Sequence, residues 1–255
     1  MSTEIRNKRI ILGLDVSTRC IGSTVASLDE DGTVNILEIS HLRLKIRRKY
    51  KNTNKGLFIK SEQFKNKLNE KYNKYYITDV IIEEPVVNGS NMDSIAMLMK
   101  FNGMISQSVR DVLGVIPEYI SSHDARKYGC PSLMAIRRFG KDGSLRSIKD
   151  IRDSIAKNEL ALFGSYPFDC SKKYILWNFV SEAFPDIKWE YNTNGELKDD
   201  NFEAADSLMC VLGYVNKLRY GNEEPEIVCC NEENEQIEYT VRFCGQTFEK
   251  IVELN

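Results

Sequence analysis

Long apolar runs are absent from the sequence. Nowhere do about 18 or more apolar residues follow one another, and the N-terminal segment leads into a short strand without the apolar stretch of a secretion signal. We therefore expect a protein that is neither secreted nor inserted in a membrane and that works in the cytoplasm.

Cysteine pairs of the kind that bind zinc are also absent. The seven cysteines are scattered, their number is odd, and none of them forms a Cys-x-x-Cys pair. This pattern favours free or buried thiols in a reducing compartment over a disulfide framework or a zinc site.

Neither repeats nor low-complexity segments interrupt the sequence. Hydrophobic residues make up 42% of the 255 residues and charged residues 28%, which is typical of a globular protein with a sizeable core. This length suits one large α/β domain, or a core domain with additions.

The net charge of −2 conceals a strong separation of charge along the chain. Residues 43–74 contain twelve Lys or Arg and two acids, and residues 126–157 contain nine Lys or Arg and three acids. From residue 222 onward, nine Glu stand against two basic residues. A single charged run is commonly a solvated helix face, but two basic zones around an acidic site predict binding to a phosphate backbone.

The spacing of apolar residues predicts the element order β-β-β-α-β-α-β-α-α, followed by a tail. Strands are predicted at 9–14, 21–28, 33–44, 80–82 and 115–120, and helices at 57–72, 93–112, 171–184 and 202–218. Residues 121–169 are ambiguous, and we expect a mobile loop and a helix near 148–162. Residues 226–230 and 236–243 alternate in polarity and predict a terminal β-hairpin. The fold class is therefore α/β, with a mixed five-stranded sheet of three antiparallel strands followed by parallel ones, flanked by helices.

Acidic residues occupy positions where a purely structural protein would prefer other side chains. Asp15 follows one apolar strand and Glu83 ends another, while Glu203 and Asp206 are three residues apart and so share one face of a helix. Clustered carboxylates repel one another and lose hydration, which is costly unless a cation neutralises them. Mg²⁺ takes such oxygen ligands, and two Mg²⁺ ions can drive hydrolysis of a phosphodiester without histidine or cysteine. Only two histidines, His41 and His123, are present.

Each acid also has a structural alternative. Asp15 could cap the turn that follows it, Glu203 could be a first-turn acid favoured by the helix dipole, and Asp206 could be exposed. Only the conjunction of all of them with Ile82-Glu83-Glu84 indicates a site.

Three segments together resemble the RuvC-type Holliday junction resolvases of the RNase H-like superfamily. ILGLDVSTRCIGSTV resembles the first hairpin of that family, VIIEEPV its strand-end glutamate motif, and NFEAADSLMCVLGYV its final helix. Gly103 and the strand GVIPEYISS extend the resemblance over most of residues 10–218. The resemblance implies an RNase H-like fold and a metal-dependent nuclease.

The resemblance also implies roles for individual residues. Asp15, Glu83, Glu203 and Asp206 would be the catalytic residues and the ligands of two Mg²⁺ ions, for which Mn²⁺ would substitute, and Glu84 is the alternative to Glu83. A homodimer would place two symmetric cuts in a four-way DNA junction, which suits a two-fold substrate, without a small-molecule cofactor. The product ends would be a 5′-phosphate and a 3′-hydroxyl.

The sequence also departs from the family pattern. Glu203 stands where an Asp is more usual, and Pro85-Val86-Val87 stand where an aromatic wedge is expected. The chain is also longer than the compact members of the family, which suggests a divergent, viral branch acting in the host cytoplasm. We assign residues 1–220 to the nuclease domain, with basic insertions near 43–74 and 126–170, and residues 221–255 to an acidic β extension.

Basic residues of the two zones, and two lysines that open a helix, are the candidate DNA contacts. For any one of them, simple solubility is an equally good explanation. The candidates are Arg43, Lys45, Arg47, Arg48, Lys49, Lys51, Arg137, Arg138, Lys141, Arg146, Lys149, Lys172 and Lys173.

Other functions fit parts of the same pattern. A nuclease for flaps or RNA–DNA hybrids would have the same acids, and a non-catalytic junction-binding protein could keep the fold. Gly13-Leu14-Asp15-Val16-Ser17-Thr18 also resembles the phosphate-binding hairpin of sugar kinases and actin-like ATPases. Those folds usually duplicate the domain and need a second glycine-rich turn, which this sequence lacks.

Overall fold

The first three strands form an antiparallel meander. The structure, a computed structural model, describes residues 8–85, 91–233 and 236–253. Strands β1 (Arg9–Val16), β2 (Cys20–Leu28) and β3 (Val34–Arg43) pair in sequence order, with Asp15 opposite Gly22 in the β1–β2 ladder. The β2–β3 turn contains Gly32 at φ 84°, a backbone conformation that glycine adopts without strain.

Two parallel strands extend the meander on the side of β1. Strand β4 (Asp79–Glu83) pairs with β1, and β5 (Glu118–Ile120) pairs with β4. The sheet order is β3-β2-β1-β4-β5. Three antiparallel strands followed by two parallel ones, with helices on both faces, constitute an RNase H-like fold, as the sequence predicts.

Two long helices cover one face of the sheet. Helices α1 (Asn54–Tyr75) and α2 (Met92–Leu113) bury Phe64 and Phe101 against the β1 residues Leu12 and Leu14. Thr53 and Asn91 cap their first turns by accepting hydrogen bonds from backbone amides.

Three further helices cover the opposite face. They are α3 (Ser122–Gly129), α5 (Lys172–Ala183) and α6 (Asp200–Tyr220). Helix α6 is the central one, with fourteen buried residues, and it packs directly on β1 and β2. A helix buried on most sides is typical of the interior of a larger domain. None of the helices in the described ranges has the length and apolar composition of a membrane span.

The insertion after α3 and the C-terminal tail share a second apolar core. The insertion contains β6 (Met134–Ile136), α4 (Ile148–Ala156) and β7 (Leu160–Leu162). The tail forms a three-stranded antiparallel sheet of β8 (Glu226–Glu233), β9 (Gln236–Phe243) and β10 (Gln246–Glu253). Because Ile136 and Ile151 pack against Tyr239 and Val241, the tail buttresses the insertion.

Several predicted boundaries were wrong. The helix predicted at 148–162 ends at Ala156, because Asn158 takes a left-handed conformation and the chain turns back into β7. The strand predicted at 115–120 begins only at Glu118. The hairpin predicted in the tail is confirmed as β8 and β9, and the third strand, β10, is an addition that the sequence did not predict. Helix α3 was missed among the polar residues of 121–169. The family pattern predicts an aromatic residue where Pro85-Val86-Val87 stand, and positions 86 and 87 lie outside the described residues.

Candidate active site

The two parallel strands β1 and β4 place Asp15 and Glu83 side by side. Leu14 is in register with Ile82, so each acid is the next residue along its strand. Both strands run in the same direction, and their carboxyl ends therefore reach the same edge of the sheet. Each side chain lies in a recess, mostly surrounded by protein but with part of its surface exposed.

Glycine at two strand positions lets α6 approach the sheet beside these acids. A Cβ at Gly22 would lie 1.8 Å from the carbonyl oxygen of Glu203, and one at Gly13 would lie 2.4 Å from that of Ser207. The hydroxyls of Thr24 and Ser207 form a buried hydrogen bond of 2.8 Å that fixes the helix on β2. The first two turns of α6 are thereby held next to Asp15.

Glu203 and Asp206 are both buried at this contact, at 7% and 2% exposure. Their spacing of three residues puts both carboxylates on one face of α6. The carboxyl group of Asp15 is within hydrogen-bonding reach of that of Glu203. The structure thus brings all four predicted acids together, from three elements that are far apart in sequence.

Burial and mutual repulsion raise the pKa values of three acids of the cluster. Burial, followed by the charge of Glu83, raises the pKa of Asp15 well above its usual value. Burial and the charge of Asp206 raise the pKa of Glu83 to about 7, and burial raises that of Asp206. Clustered carboxylates with raised pKa values are a frequent property of catalytic sites.

Two basic side chains partly neutralise the cluster. Arg126 of α3 donates to Asp206 Oδ1 from Nε at 3.2 Å and from Nη2 at 2.9 Å. Lys173 of α5 donates to Glu203 Oε1 at 3.1 Å. Burial alone would lower the pKa of Lys173, but the charges of the nearby acids raise it. These two cations therefore reduce the repulsion between the clustered carboxylates.

The chemistry of the acids suits a hard divalent cation. All the donors are carboxylate oxygens, the ligands that Mg²⁺ prefers. A bound cation would also offset the electrostatic cost of burying several carboxylates side by side. Within the described ranges, no three His, Cys, Asp or Glu side chains are grouped as metal ligands. Asp206 is instead held by Arg126 and Glu203 by Lys173. The chemistry of the donors therefore suits Mg²⁺, but the described residues do not form a preformed group of ligands, because protein cations engage two of the four acids.

The structure distinguishes Glu83 from its alternative Glu84. Glu83 lies among the other acids and is close enough to Ser122 to accept a hydrogen bond. Glu84 is exposed, and its backbone amide continues the pairing with β5 by donating to the carbonyl of Ile120 at 2.9 Å. Since neighbouring residues of a strand point to opposite faces, only Glu83 faces the cluster.

The first basic zone lies at the same edge of the sheet as Asp15. The backbone amide of Leu44 donates to the carbonyl of Arg19 in the β1–β2 turn, and Lys60 of α1 donates to the carbonyl of Thr18. Arg47, Arg48, Lys49 and Lys51 surround a short 3-10 turn in the following loop. These four side chains are exposed, so the predicted DNA contacts of this loop face solvent.

Some predicted DNA contacts are engaged within the protein. Arg43 donates to Asp200 at 2.7 Å at the start of α6. Arg146 donates to the carbonyls of Arg137 and Asp150 and to the hydroxyl of Ser154, so it stabilises the insertion. Of the other candidates, Lys45 bonds Gln63 through its backbone, Arg138 pairs with Gly164 through its backbone amide, and Lys141 and Lys149 are exposed.

Sequence reasoning missed Arg126, Ser122 and Lys60 as parts of the site. Arg126 belongs to the second basic zone, and Ser121 provides a helix N-cap signal directly before its helix. Recognition of a short helix after β5 would have drawn attention to Arg126, because that helix begins at the same edge of the sheet as Glu83.

Comparison with solved structures gives fold-level similarity. The chain is similar to RuvC from Thermus thermophilus, with 10% identity and a TM-score of 0.47, over 82% of this chain and 95% of that one. It is similar to the yeast mitochondrial Holliday junction resolvase Ydc2, with 15% identity and a TM-score of 0.45, over 80% and 77%. An Aquifex aeolicus member of the Ppx/GppA family matches at 8% identity and a TM-score of 0.34, over 97% and 52%.

No protein-family model and no curated protein sequence matches the chain. At these identities and TM-scores, the function has to be argued from the chemistry of the site.

Proposed function

We propose that this protein is a Mg²⁺-dependent endonuclease that resolves four-way or other branched DNA junctions. The observation that carries the proposal is the convergence of Asp15, Glu83, Glu203 and Asp206, three of them with raised pKa values, at one edge of the sheet. Such a set of buried carboxylates is costly for stability, and a function that requires a bound cation explains why it is tolerated.

The four acids would hold the metal, with Glu83 in place of Glu84. When bound, Mg²⁺ activates a water molecule and stabilises the leaving oxygen of a phosphodiester. Arg126 and Lys173 would have a second role, because they would be free to contact the substrate phosphate once Asp206 and Glu203 hold the metal. Lys173 is suited to this contact, since its side chain is 48% exposed at the entrance to the cluster.

The DNA would run across the edge of the sheet where the acids lie. The loop that carries Arg47, Arg48, Lys49 and Lys51 would bind backbone phosphates on one side, and Arg137 and Lys172 would do so on the other. A homodimer would provide the two active sites that symmetric cutting of a junction requires. Residues 1–220 would form the nuclease and residues 221–255 its structural support.

Cleavage of labelled substrates tests the proposal. A four-way junction, a linear duplex, a flap, and an RNA–DNA hybrid are incubated with the protein, with Mg²⁺ or with EDTA, and the products are resolved on a denaturing gel. We expect paired, symmetric, Mg²⁺-dependent nicks in the junction, with 5′-phosphate and 3′-hydroxyl ends.

Each other outcome has a defined meaning. Cutting of the flap or the hybrid alone would retain the nuclease and overturn the junction as substrate. Binding of the junction without cutting would indicate a non-catalytic binding protein. ATP hydrolysis without DNA would overturn the proposal in favour of an actin-like ATPase.

A further inference from the structure

A groove of about 570 Å³ opens beside the four acids, between α3, the insertion and the start of α5. One of its lining residues, Arg126, bonds Asp206 directly, and another, Ser122, lies close enough to Glu83 to donate a hydrogen bond. The far wall is formed by 160–163 of β7 and the residue that follows it. The groove is therefore continuous with the candidate active site.

The charged side chains that line this groove are predominantly basic. They are Arg126, Lys127, Arg137 and Lys172, and among the described residues Glu224 is the only acid that lines the groove. Lys127 is paired with Glu224. Arg137 and Lys172 make no ion pair with another described residue, so their charges are available to a ligand. This balance favours an anionic chain such as a phosphate backbone.

Exposed aromatic rings lie on a loop that borders the same groove. The loop between β7 and α5 joins Phe163 to Lys172, both of which line the groove, and it carries Tyr166 and Phe168, each 40% exposed. The guanidinium of Arg137 lies over the Phe168 ring, 4.7 Å from its centroid. The groove thus combines cations with flat apolar surfaces.

We infer that this groove binds an unpaired stretch of DNA next to the cleavage site. Cations that follow a backbone, with aromatic rings on which bases stack, are the features by which proteins bind single strands. A base inside a duplex cannot offer its face to Phe168, whereas a base displaced at a branch point can. The inference rests on the proposed nuclease function and specifies its substrate as a branch with unpaired nucleotides.

Binding without cleavage tests the inference. The probe is an oligothymidylate of about 12 nucleotides with a central 2-aminopurine, in EDTA, and affinity is followed by anisotropy and stacking by quenching of the 2-aminopurine. The double variant Tyr166→Leu/Phe168→Leu keeps apolar volume but removes the rings. We expect about tenfold weaker binding of the oligonucleotide, loss of quenching, and unchanged affinity for a blunt duplex of the same length.

Matched variants control for general effects. Tyr119→Leu removes an exposed ring on β5 whose hydroxyl bonds Ser106 of α2, away from the groove, and is expected to bind like the parent. Arg137→Gln is expected to reduce the salt dependence of oligonucleotide binding by about 0.7 unit, and Arg110→Gln on α2 to leave it unchanged. Circular dichroism of each variant establishes that it is folded.

Two results would overturn the inference. One is a double variant that binds and quenches the oligonucleotide like the parent, and the other is an equal loss of affinity for oligonucleotide and duplex. Failure of the proposed function would look different. If the parent protein quenches the 2-aminopurine but cuts no substrate in Mg²⁺, the groove inference stands and the proposed nuclease function is wrong. If the parent cuts junctions but does not quench the 2-aminopurine, only the groove inference is wrong.

Discussion

Arg126 donates two hydrogen bonds to a single carboxylate oxygen of Asp206, and both side chains are largely withdrawn from solvent, at 19% and 3% exposure. The contact joins α3 to the central helix α6 at the acidic cluster. Arg126 therefore competes with any metal ion for that oxygen, while it stabilises the acids against their mutual repulsion. Replacing Arg126 therefore distinguishes its competition with a metal ion from its stabilisation of the acids.

We expect Arg126→Gln to lower the free energy of unfolding by about 3 kcal/mol at neutral pH, because it leaves a buried carboxylate without its partner. Addition of Mg²⁺ should restore part of the loss. Urea unfolding in EDTA and in Mg²⁺ measures both effects. The matched control is Lys217→Gln, which breaks a surface pair with Asp124 and should cost at most about 1 kcal/mol. Equal losses of unfolding free energy in the two variants would contradict the prediction that Arg126 stabilises a buried carboxylate.

The raised pKa of Glu83 predicts that the free energy of unfolding decreases as the pH rises. Burial and the charge of Asp206 raise this pKa from 4.5 to about 7, so the folded protein holds the proton more tightly than the unfolded chain does. Stability from this group is therefore fully present below about pH 4.5 and falls as the pH rises to about 7.

Glu83→Gln should remove this pH-dependent loss of stability, because glutamine does not ionise. In EDTA, we expect the variant to match the parent near pH 4 and to exceed its free energy of unfolding by up to about 3 kcal/mol above pH 7. Urea unfolding across this pH range gives the difference between the two proteins. A difference that does not change with pH would show that Glu83 is not among repelling acids.

Gly22 is predicted to tolerate no side chain. A Cβ there would overlap the Glu203 carbonyl, so Gly22→Ala should push α6 from the sheet, cost at least about 2 kcal/mol, and reduce cleavage about a hundredfold by displacing Glu203. Gly103→Ala is the control, since no atom lies within 4 Å of its Cβ. It should stabilise helix α2 by about 0.5–1 kcal/mol. Thermal unfolding and a cleavage assay measure both variants.

Asp15→Asn should abolish junction cleavage and leave junction binding unchanged or tighter, because it removes a negative charge that faces phosphate. The control is Glu84→Gln, which alters the neighbouring exposed carboxylate of the Glu83-Glu84 pair and should cut like the parent. Cleavage gels and fluorescence anisotropy with a labelled junction distinguish the two. Retained turnover in Asp15→Asn would remove Asp15 from the site.

The double variant Arg47→Gln/Arg48→Gln should weaken junction binding and reduce the slope of log affinity against log salt by about one unit per lost phosphate contact. Lys100→Gln/Arg110→Gln removes the same charge from α2, on a different element, and should leave the slope close to that of the parent. Titrations at several salt concentrations give the slopes. Equal slopes in both double variants would mean that Arg47 and Arg48 serve solubility alone.

Much of the fold could be predicted from local patterns. Strands β1 to β4 follow from short apolar runs between polar turns, and α2 and α6 from helical spacing, because these signals depend only on the period of the backbone. The weak points were the insertion and the tail. Helix α4, strand β7 and strand β10 are held by a core shared between residues about 90 positions apart, such as Ile151 and Tyr239, and no local sequence pattern predicts such a contact.

The candidate site shows the same division between sequence and structure. The sequence by itself determined that Asp15 and Glu83 end apolar strands and that Glu203 and Asp206 share a helix face, because these facts depend on adjacent residues. Only the tertiary structure decided that Glu83 and not Glu84 faces the cluster, that Gly13 and Gly22 admit α6, and that Arg126 and Lys173 neutralise the acids. These outcomes depend on the parallel register of β1 and β4 and on the close approach of helices to the sheet, which arise only when distant segments bury their apolar faces together.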